Sequence, residues 1–128
     1  MKTANIFREL VKNAEVDFSI KIEERHEING IELELFSVEQ IGLFAEDERY
    51  LIDECYKNDT DEKPTAYIWD KEMDESILFT DKEMEEVDAY LENLIEEKNK
   101  ELRVDFETEK EEVLDYEAPE LHAYNQGE

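Results

Sequence analysis

The hydrophobic positions change period along the chain, and each change marks an element. In residues 3–14, "TANIFRELVKNA", Ile6, Phe7, Leu10, Val11 and Ala14 recur at the spacing of one helix face, and Thr3 can cap the start. From Val16 the period falls to two. Val16, Phe18, Ile20 and Ile22 alternate with Asp17, Ser19, Lys21 and Glu23, which predicts a half-buried strand. In "HEINGIELELF", Asn29-Gly30 is the pair favoured by a type I′ turn, whose central residues both need φ > 0. A two-residue turn sets Ile28 opposite Ile31, His26 opposite Leu33 and Glu24 opposite Leu35. Ile31, Leu33 and Leu35 then share a face, with Glu32 and Glu34 pointing outward.

The next segment reads as a helix. Ser37-x-x-Gln40 has the form of a capping box, and Val38, Ile41, Phe44, Ala45, Leu51, Ile52, Cys55 and Tyr56 fit a helical stripe to about residue 57. Gly42 and the acidic "AEDE" interrupt that stripe, and Arg49–Tyr56 also fits a strand. "KNDTDEKP" (57–64) is a loop by composition. "TAYIWD" and "ESILFT" read as two short strands joined by "KEMD", with Trp69 read as core because it stands in an apolar strand. Thr80-x-x-Glu83 is a second capping box. It opens a helix carried by Met84, Val87, Tyr90, Leu91, Leu94 and Ile95, expected to run to about residue 101. A weaker stripe at Leu102, Phe106, Val113 and Leu114 leaves residues 102–116 open between continuation of that helix and another element.

These elements predict an α+β fold: an N-terminal helix, a small antiparallel sheet with an Asn-Gly hairpin, and one or more long acidic C-terminal helices. Residues 1–116 are expected to form a single domain. "EAPELHAYNQGE" (117–128) carries no stripe and is expected to be a mobile tail.

Charge changes this picture most. Of 128 residues, 39 are acidic and 14 basic, a net charge of −25. A net charge of magnitude about 2–8 suffices to keep a small domain soluble. The excess costs stability through self-repulsion, so some other role must favour it. Disorder does not account for it, because the apolar pattern covers most of the chain. A salt-adapted composition is disfavoured by the predominance of Glu over Asp and the retention of Lys. The start, "MKTANIFREL", lacks the apolar run of a signal peptide, and no apolar run approaches the ~20 residues of a membrane span, so a cytoplasmic protein with no membrane contact is expected. The charge also opposes direct binding of nucleic acid.

Chemistry is sparse. Cys55 is the single cysteine, and the two histidines are His26, expected to be partly buried on a sheet face, and His122 in the tail. Nothing brings a Cys/His pair together, so no catalytic residue is named and no enzymatic activity is expected. Asp59 and Asp61 have the i,i+2 spacing of a calcium loop but lack its third ligand and its glycine. No metal site or cofactor is expected, and the three glycines build no phosphate loop.

What remains is the carboxylates of the last helix. Asp81, Glu83, Glu85, Glu86, Asp88, Glu92, Glu96, Glu97 and Glu101 place nine charges in 21 residues. At the helical rise that is one per roughly 3.5 Å of axis, close to the about 3.4 Å per phosphate of one DNA strand. A stiff row of carboxylates can occupy Lys and Arg side chains that otherwise neutralise phosphates. Glu85, Glu86, Asp88, Glu92, Glu96 and Glu97 flank the apolar stripe and are the candidate partner contacts. The competing reading for each of them is a merely solvated helix face.

In composition and layout the chain resembles the small acidic phage-encoded DNA mimics that block bacterial defence nucleases, the anti-restriction and type II anti-CRISPR proteins. That resemblance implies a nuclease inhibitor whose partner is a basic nucleic-acid-binding protein. A second resemblance covers about 30 residues. "AYIWDKEMDESILFTDKEMEEVDAYLENLI" is similar to the strand, Trp-Asp, strand and helix that end a family of immunity proteins against secreted toxins, often basic nucleases. An acidic adaptor without mimicry is the third reading. Neither the oligomeric state nor the choice between competitive and allosteric inhibition follows from the sequence.

Overall fold

A computed structural model of the chain describes residues 3–60 and 63–127, with side chains as far as Leu114. The fold is α+β. Helix α1 (Thr3–Leu10) continues into a 3-10 turn (Val11–Asn13). Six strands follow: β1 (Glu15–Ile28), β2 (Ile31–Glu46), β3 (Tyr50–Ile52), β4 (Cys55–Asn58), β5 (Thr65–Asp70) and β6 (Glu75–Leu78). Helix α2 (Asp81–Gly127) ends the order. Residues 117–127, expected as a mobile tail, belong to α2, while Glu128, the His122 side chain and Asp61 of the calcium-loop reading lie outside the described residues. The chain divides into two compact units, Met1–Ile20 with Val38–Glu96, and Lys21–Ser37 with Glu97–Glu128.

In the first unit, β2 and β5 each pair antiparallel with both β3 and β4, and β6 pairs antiparallel with β5. β3 and β4 therefore occupy one strand position between β2 and β5. The registers show why they are separate. Leu51 pairs with Trp69 while Cys55 pairs with Ala66, leaving three residues on one side against two on the other. The same one-residue excess appears against β2, where Ala45 pairs with Ile52 and Gly42 with Tyr56. This is a β-bulge at Asp53–Glu54. The Glu54 carbonyl accepts a hydrogen bond from the Tyr67 N–H at 3.3 Å, so the interruption stays tied to β5.

The helical reading of residues 38–57 is corrected here: β2 runs on to Glu46, and β3 and β4 follow it. Ser37 caps no helix. Its hydroxyl donates to Glu23 Oε1 at 2.8 Å. Leu43, absent from the helical stripe, is buried, and Phe44, assigned to it, is 44% exposed. The strand alternative for Arg49–Tyr56 is the one that occurs, and residues 102–116 continue α2.

One sheet face carries Ile41, Leu43, Ala45, Ile52, Cys55, Ala66 and Ile68. These pack with Ile6, Phe7 and Leu10 of α1 and with Val87, Leu91 and Ile95 of α2 into a single core. Phe7 meets Phe79 and Tyr90 edge-on, each at 5.7 Å between ring centroids. The capping box forms in both directions. The Glu83 N–H donates to Thr80 Oγ1 at 3.1 Å, and the Thr80 N–H donates to Glu83 Oε1 at 3.0 Å. Glu83 Oε2 also accepts from the Ala4 N–H at 3.1 Å, which joins the starts of the two helices. Thr3 does not close on its own helix; its hydroxyl donates to the Leu78 carbonyl.

The side chains of the opposite sheet face take no part in that core. Strand alternation and the pairings place Gly42, Phe44, Leu51, Tyr56, Tyr67, Trp69 and Leu78 there. The core assignment of Trp69 is therefore corrected. It is half-buried and lies on the face of β5 opposite buried Ala66, Ile68 and Asp70, because period-two alternation turns every second residue of an apolar strand away from the core.

The second unit contains the hairpin turn. Asn29 and Gly30 have φ of 53° and 81°, as a type I′ turn requires. Arg25 and Glu34, opposite each other in the two-residue-turn register, form an ion pair at 3.4 Å. Leu33, Leu35 and Phe106 make a small core with Ile28 and Val113 against it. His26 is partly buried, with its ring 5.2 Å from that of Phe106 and a nitrogen 2.8 Å from Glu24 Oε1.

Candidate functional site

The six candidate carboxylates separate into two groups. Glu86, Asp88 and Glu92 have structural partners within the first unit. Arg8 of α1 clasps Glu86 with both arms of its guanidinium, Nε to Oε2 at 2.5 Å and Nη2 to Oε1 at 2.7 Å. The Arg8 hydrogen bond holds the Glu86 carboxyl below its ordinary value. Asp88 and Glu92, one helical turn apart, both reach the Lys57 ammonium, Glu92 at 2.8 Å.

Lys57 is a core-facing residue of β4 whose side chain is only 5% exposed. Burial pulls its ammonium down, but the hydrogen bonds to Asp88 and Glu92 outweigh it and hold the pKa above the ordinary lysine value. A buried ammonium needs such partners. Asp88 and Glu92 thus fasten α2 to the sheet.

Glu85, Glu96 and Glu97 are exposed, with no hydrogen bond or ion pair among the described residues. The later part of α2 adds carboxylates that the sequence reading did not nominate. Asp105, Glu109, Glu111 and Glu112 are exposed and equally without partners among the described residues. Glu97, Glu101, Asp105, Glu109 and Glu112 follow one another at four-, four-, four- and three-residue steps, so they line one side of the helix. Glu101 alone of these five has a cation, Lys98 at 2.9 Å. Like charges at i,i+4 destabilise a helix by about 0.2–0.5 kcal/mol per pair. The stripe is legible in "ELRVDFETEKEEV" by counting fours, beside a weaker apolar stripe than that of Asp81–Glu96.

Cys55 is buried, and burial pushes its thiol up to about 12, so thiolate is scarce at neutral pH. Among the described residues no group of three or more His, Cys, Asp or Glu side chains is arranged to hold a metal ion. No described helix is long and apolar enough to cross a membrane. Comparison with protein-family models, curated proteins and solved structures gives no match.

Proposed function

We propose that the protein is a phage-type inhibitor that binds the basic nucleic-acid-binding surface of a bacterial defence nuclease, as an anti-CRISPR or anti-restriction protein does. It carries out no chemistry and works in the host cytosol. The carboxylates of α2 stand in for phosphates and occupy the partner's Lys and Arg side chains. The observation that carries this reading is the row of exposed carboxylates from Glu97 to Glu112 on one side of α2, of which only Glu101 has a cation among the described residues. The cations of the same stretch, Lys98, Lys100, Arg103 and Lys110, leave Glu97, Asp105, Glu109 and Glu112 without an ion pair among the described residues.

The contacts assigned to this role are Glu85, Glu96, Glu97, Asp105, Glu109 and Glu112. Glu86, Asp88 and Glu92 are reassigned to holding α2 in place. The test measures nucleic-acid binding by the captured partner in the presence of the wild-type chain and of a Glu97→Lys/Glu109→Lys/Glu112→Lys variant. Mimicry predicts competition that the variant loses while its melting temperature is kept. Simultaneous binding of nucleic acid and this chain, with no mutual loss of affinity, overturns it. That result would favour an immunity-type inhibitor, which the succession of β5, Trp69-Asp70, β6 and α2 also suits.

A further inference from the structure

The face of the first-unit sheet turned away from the helices has the character of a binding surface. Phe44 is 44% exposed, Tyr56 36% and Leu78 71%, with half-buried Tyr67 and Trp69 among them. Exposed aromatic and aliphatic side chains gathered on one sheet face mark interaction sites more often than scattered apolar residues do. Gly42 is a second, independent sign. It sits within β2, paired with Tyr56, at a position where glycine weakens a strand. Nothing inside the chain requires its small size. A side chain there would meet only the Cys55 carbonyl at 4.0 Å, and its φ lies outside the left-handed region. The missing side chain leaves the backbone bare beside Tyr56, as suits close approach by another molecule.

Charge decides what that molecule is. The bulge holds Glu54 against β5, its carbonyl accepting from the Tyr67 N–H at 3.3 Å, and the Glu54 carboxylate, then burial and Asp53, push the Tyr67 phenol up to about 12. Glu46 lies on the same face, opposite Leu51, and is already paired with Lys71 at 2.8 Å, which leaves Asp53 and Glu54 as the acids of this face. Aromatic ring faces beside carboxylates favour a planar cation, which stacks on the ring and donates to the acid. A second copy of this chain is disfavoured, since association would bring together two molecules of −25 charge each.

We propose that this face, from Phe44 through Tyr56 and Tyr67 to Trp69, docks an arginine-bearing segment of a cationic protein partner, with guanidinium groups stacked on the rings and hydrogen-bonded to Asp53 and Glu54. It rests on the reading that the partner is basic, and it adds a surface separate in sequence from the α2 carboxylates. Phosphate mimicry alone would use only the helix.

Trp69 is the only tryptophan, so its fluorescence reports on this face. The probe is a synthetic (Gly-Arg)5 peptide, titrated at 0.15 M salt beside (Gly-Lys)5 of equal charge. The arginine peptide is expected to shift Trp69 emission and to bind about tenfold more tightly than the lysine peptide, because only guanidinium stacks and forks. Gly42→Arg is expected to weaken binding about tenfold or more, through added bulk and like charge. Phe44→Ser gives the same reading should Gly42→Arg not fold. The triple α2 variant at Glu97, Glu109 and Glu112 is expected to leave the Trp69 response within about twofold.

Equal affinity for the two peptides overturns the proposal. So does binding that survives both sheet variants but is lost in the α2 variant, which would mean diffuse attraction to the helix. Concentration-dependent dimerisation that Gly42→Arg abolishes would assign the face to a second copy and overturn it too. Loss of nucleic-acid competition in the partner assay, with the arginine preference intact, would count against mimicry alone.

Discussion

The stretch of α2 from Asp81 to Glu96 and the stretch from Glu97 to Leu114 have similar sequences and different physics. Both are rich in carboxylates and both carry an apolar stripe. In the first, that stripe supplies Val87, Leu91 and Ile95 to a large core, and the flanking acids Glu86, Asp88 and Glu92 meet Arg8 and Lys57. In the second, Phe106 with Val113 serves a small core, and among the described residues only Glu101, with Lys98, and Glu107, with Arg103, have a cation, each on the same helix. A count of carboxylates treats the two alike, with seven in each. Partners separate them. A carboxylate that satisfies a buried lysine is part of the fold, whereas one among like charges raises the free energy of the chain until a cation arrives from outside.

The largest expected effect comes from exchanging the roles of the two stretches. Asp88→Lys with Glu92→Lys would leave the Lys57 ammonium buried beside two further cations. Breaking a buried pair costs about 3–5 kcal/mol, and the half-exposed carboxylates place this case toward the lower end. Urea denaturation should show that loss as a lower midpoint. The same reversal at Glu109 and Glu112 should change stability by no more than about 0.5 kcal/mol, because it removes only like-charge repulsion at exposed sites. Equal losses in the two pairs would erase the distinction between structural and available acids.

Much of this fold was legible because local signals agreed with tertiary ones. Asn29-Gly30, the Thr80 and Glu83 box, "TAYIWD" and "ESILFT" each specify their element through turn geometry, capping or alternation. Residues 38–57 misled for a specific reason. The bulge at Asp53–Glu54 sets buried Ile52 and Cys55 three apart, and burial along β2 steps from Leu35 to Val38 to Ile41, again by threes. A strand whose phase slips by one residue writes a helical spacing into the sequence. Gly42, an irritant in the helix reading, was the residue that favoured a strand with an open face. The candidate site was legible as a class of residue but not by position. No pattern in the sequence says that Lys57 faces the core, and that one orientation decides the role of Asp88 and Glu92.

A middle-sized effect tests the second unit through its turn. Gly30→Val puts a β-branched residue at φ 81° and should cost about 1–2 kcal/mol. The loss should appear as faster amide exchange in β1 beyond Lys21 and in β2 before Val38. Loss confined to the first unit would count against the division into two units.

Titration separates the partnered groups by sign. The Lys57 pKa is raised, so the stability its clamp supplies is present at neutral pH and below the ordinary lysine range, and is lost as pH climbs through the raised value. The Glu86 and Asp70 carboxyls are lowered, each chiefly by an arginine hydrogen bond, so their contribution is present above the ordinary carboxylate range and lost as pH falls. Glu86→Gln should therefore flatten the acid limb of the stability curve and leave the alkaline limb unchanged. An altered alkaline limb would mean that the Arg8 and Lys57 pairs act as one network.

The smallest expected effect, salt, acts on the two stretches with opposite sign. Along the row Glu97, Glu101, Asp105, Glu109 and Glu112, neighbours one turn apart repel one another in water. Salt shortens the screening length from about 30 Å at 0.01 M to about 10 Å at 0.1 M, and should steady that part of the helix by a few tenths of a kcal/mol per like-charge pair. At Lys57 the interaction is attraction within a buried site, where screening reaches poorly, so salt should leave it unchanged or weaken it slightly. Amide exchange resolved along α2 at the two ionic strengths reads both at once. Slower exchange with added salt is expected at Glu97–Leu114, with no gain at Asp81–Glu96. Equal gains in both stretches would show that the −25 charge acts as a uniform field, and the stripe would then lose its claim to be a distinct site.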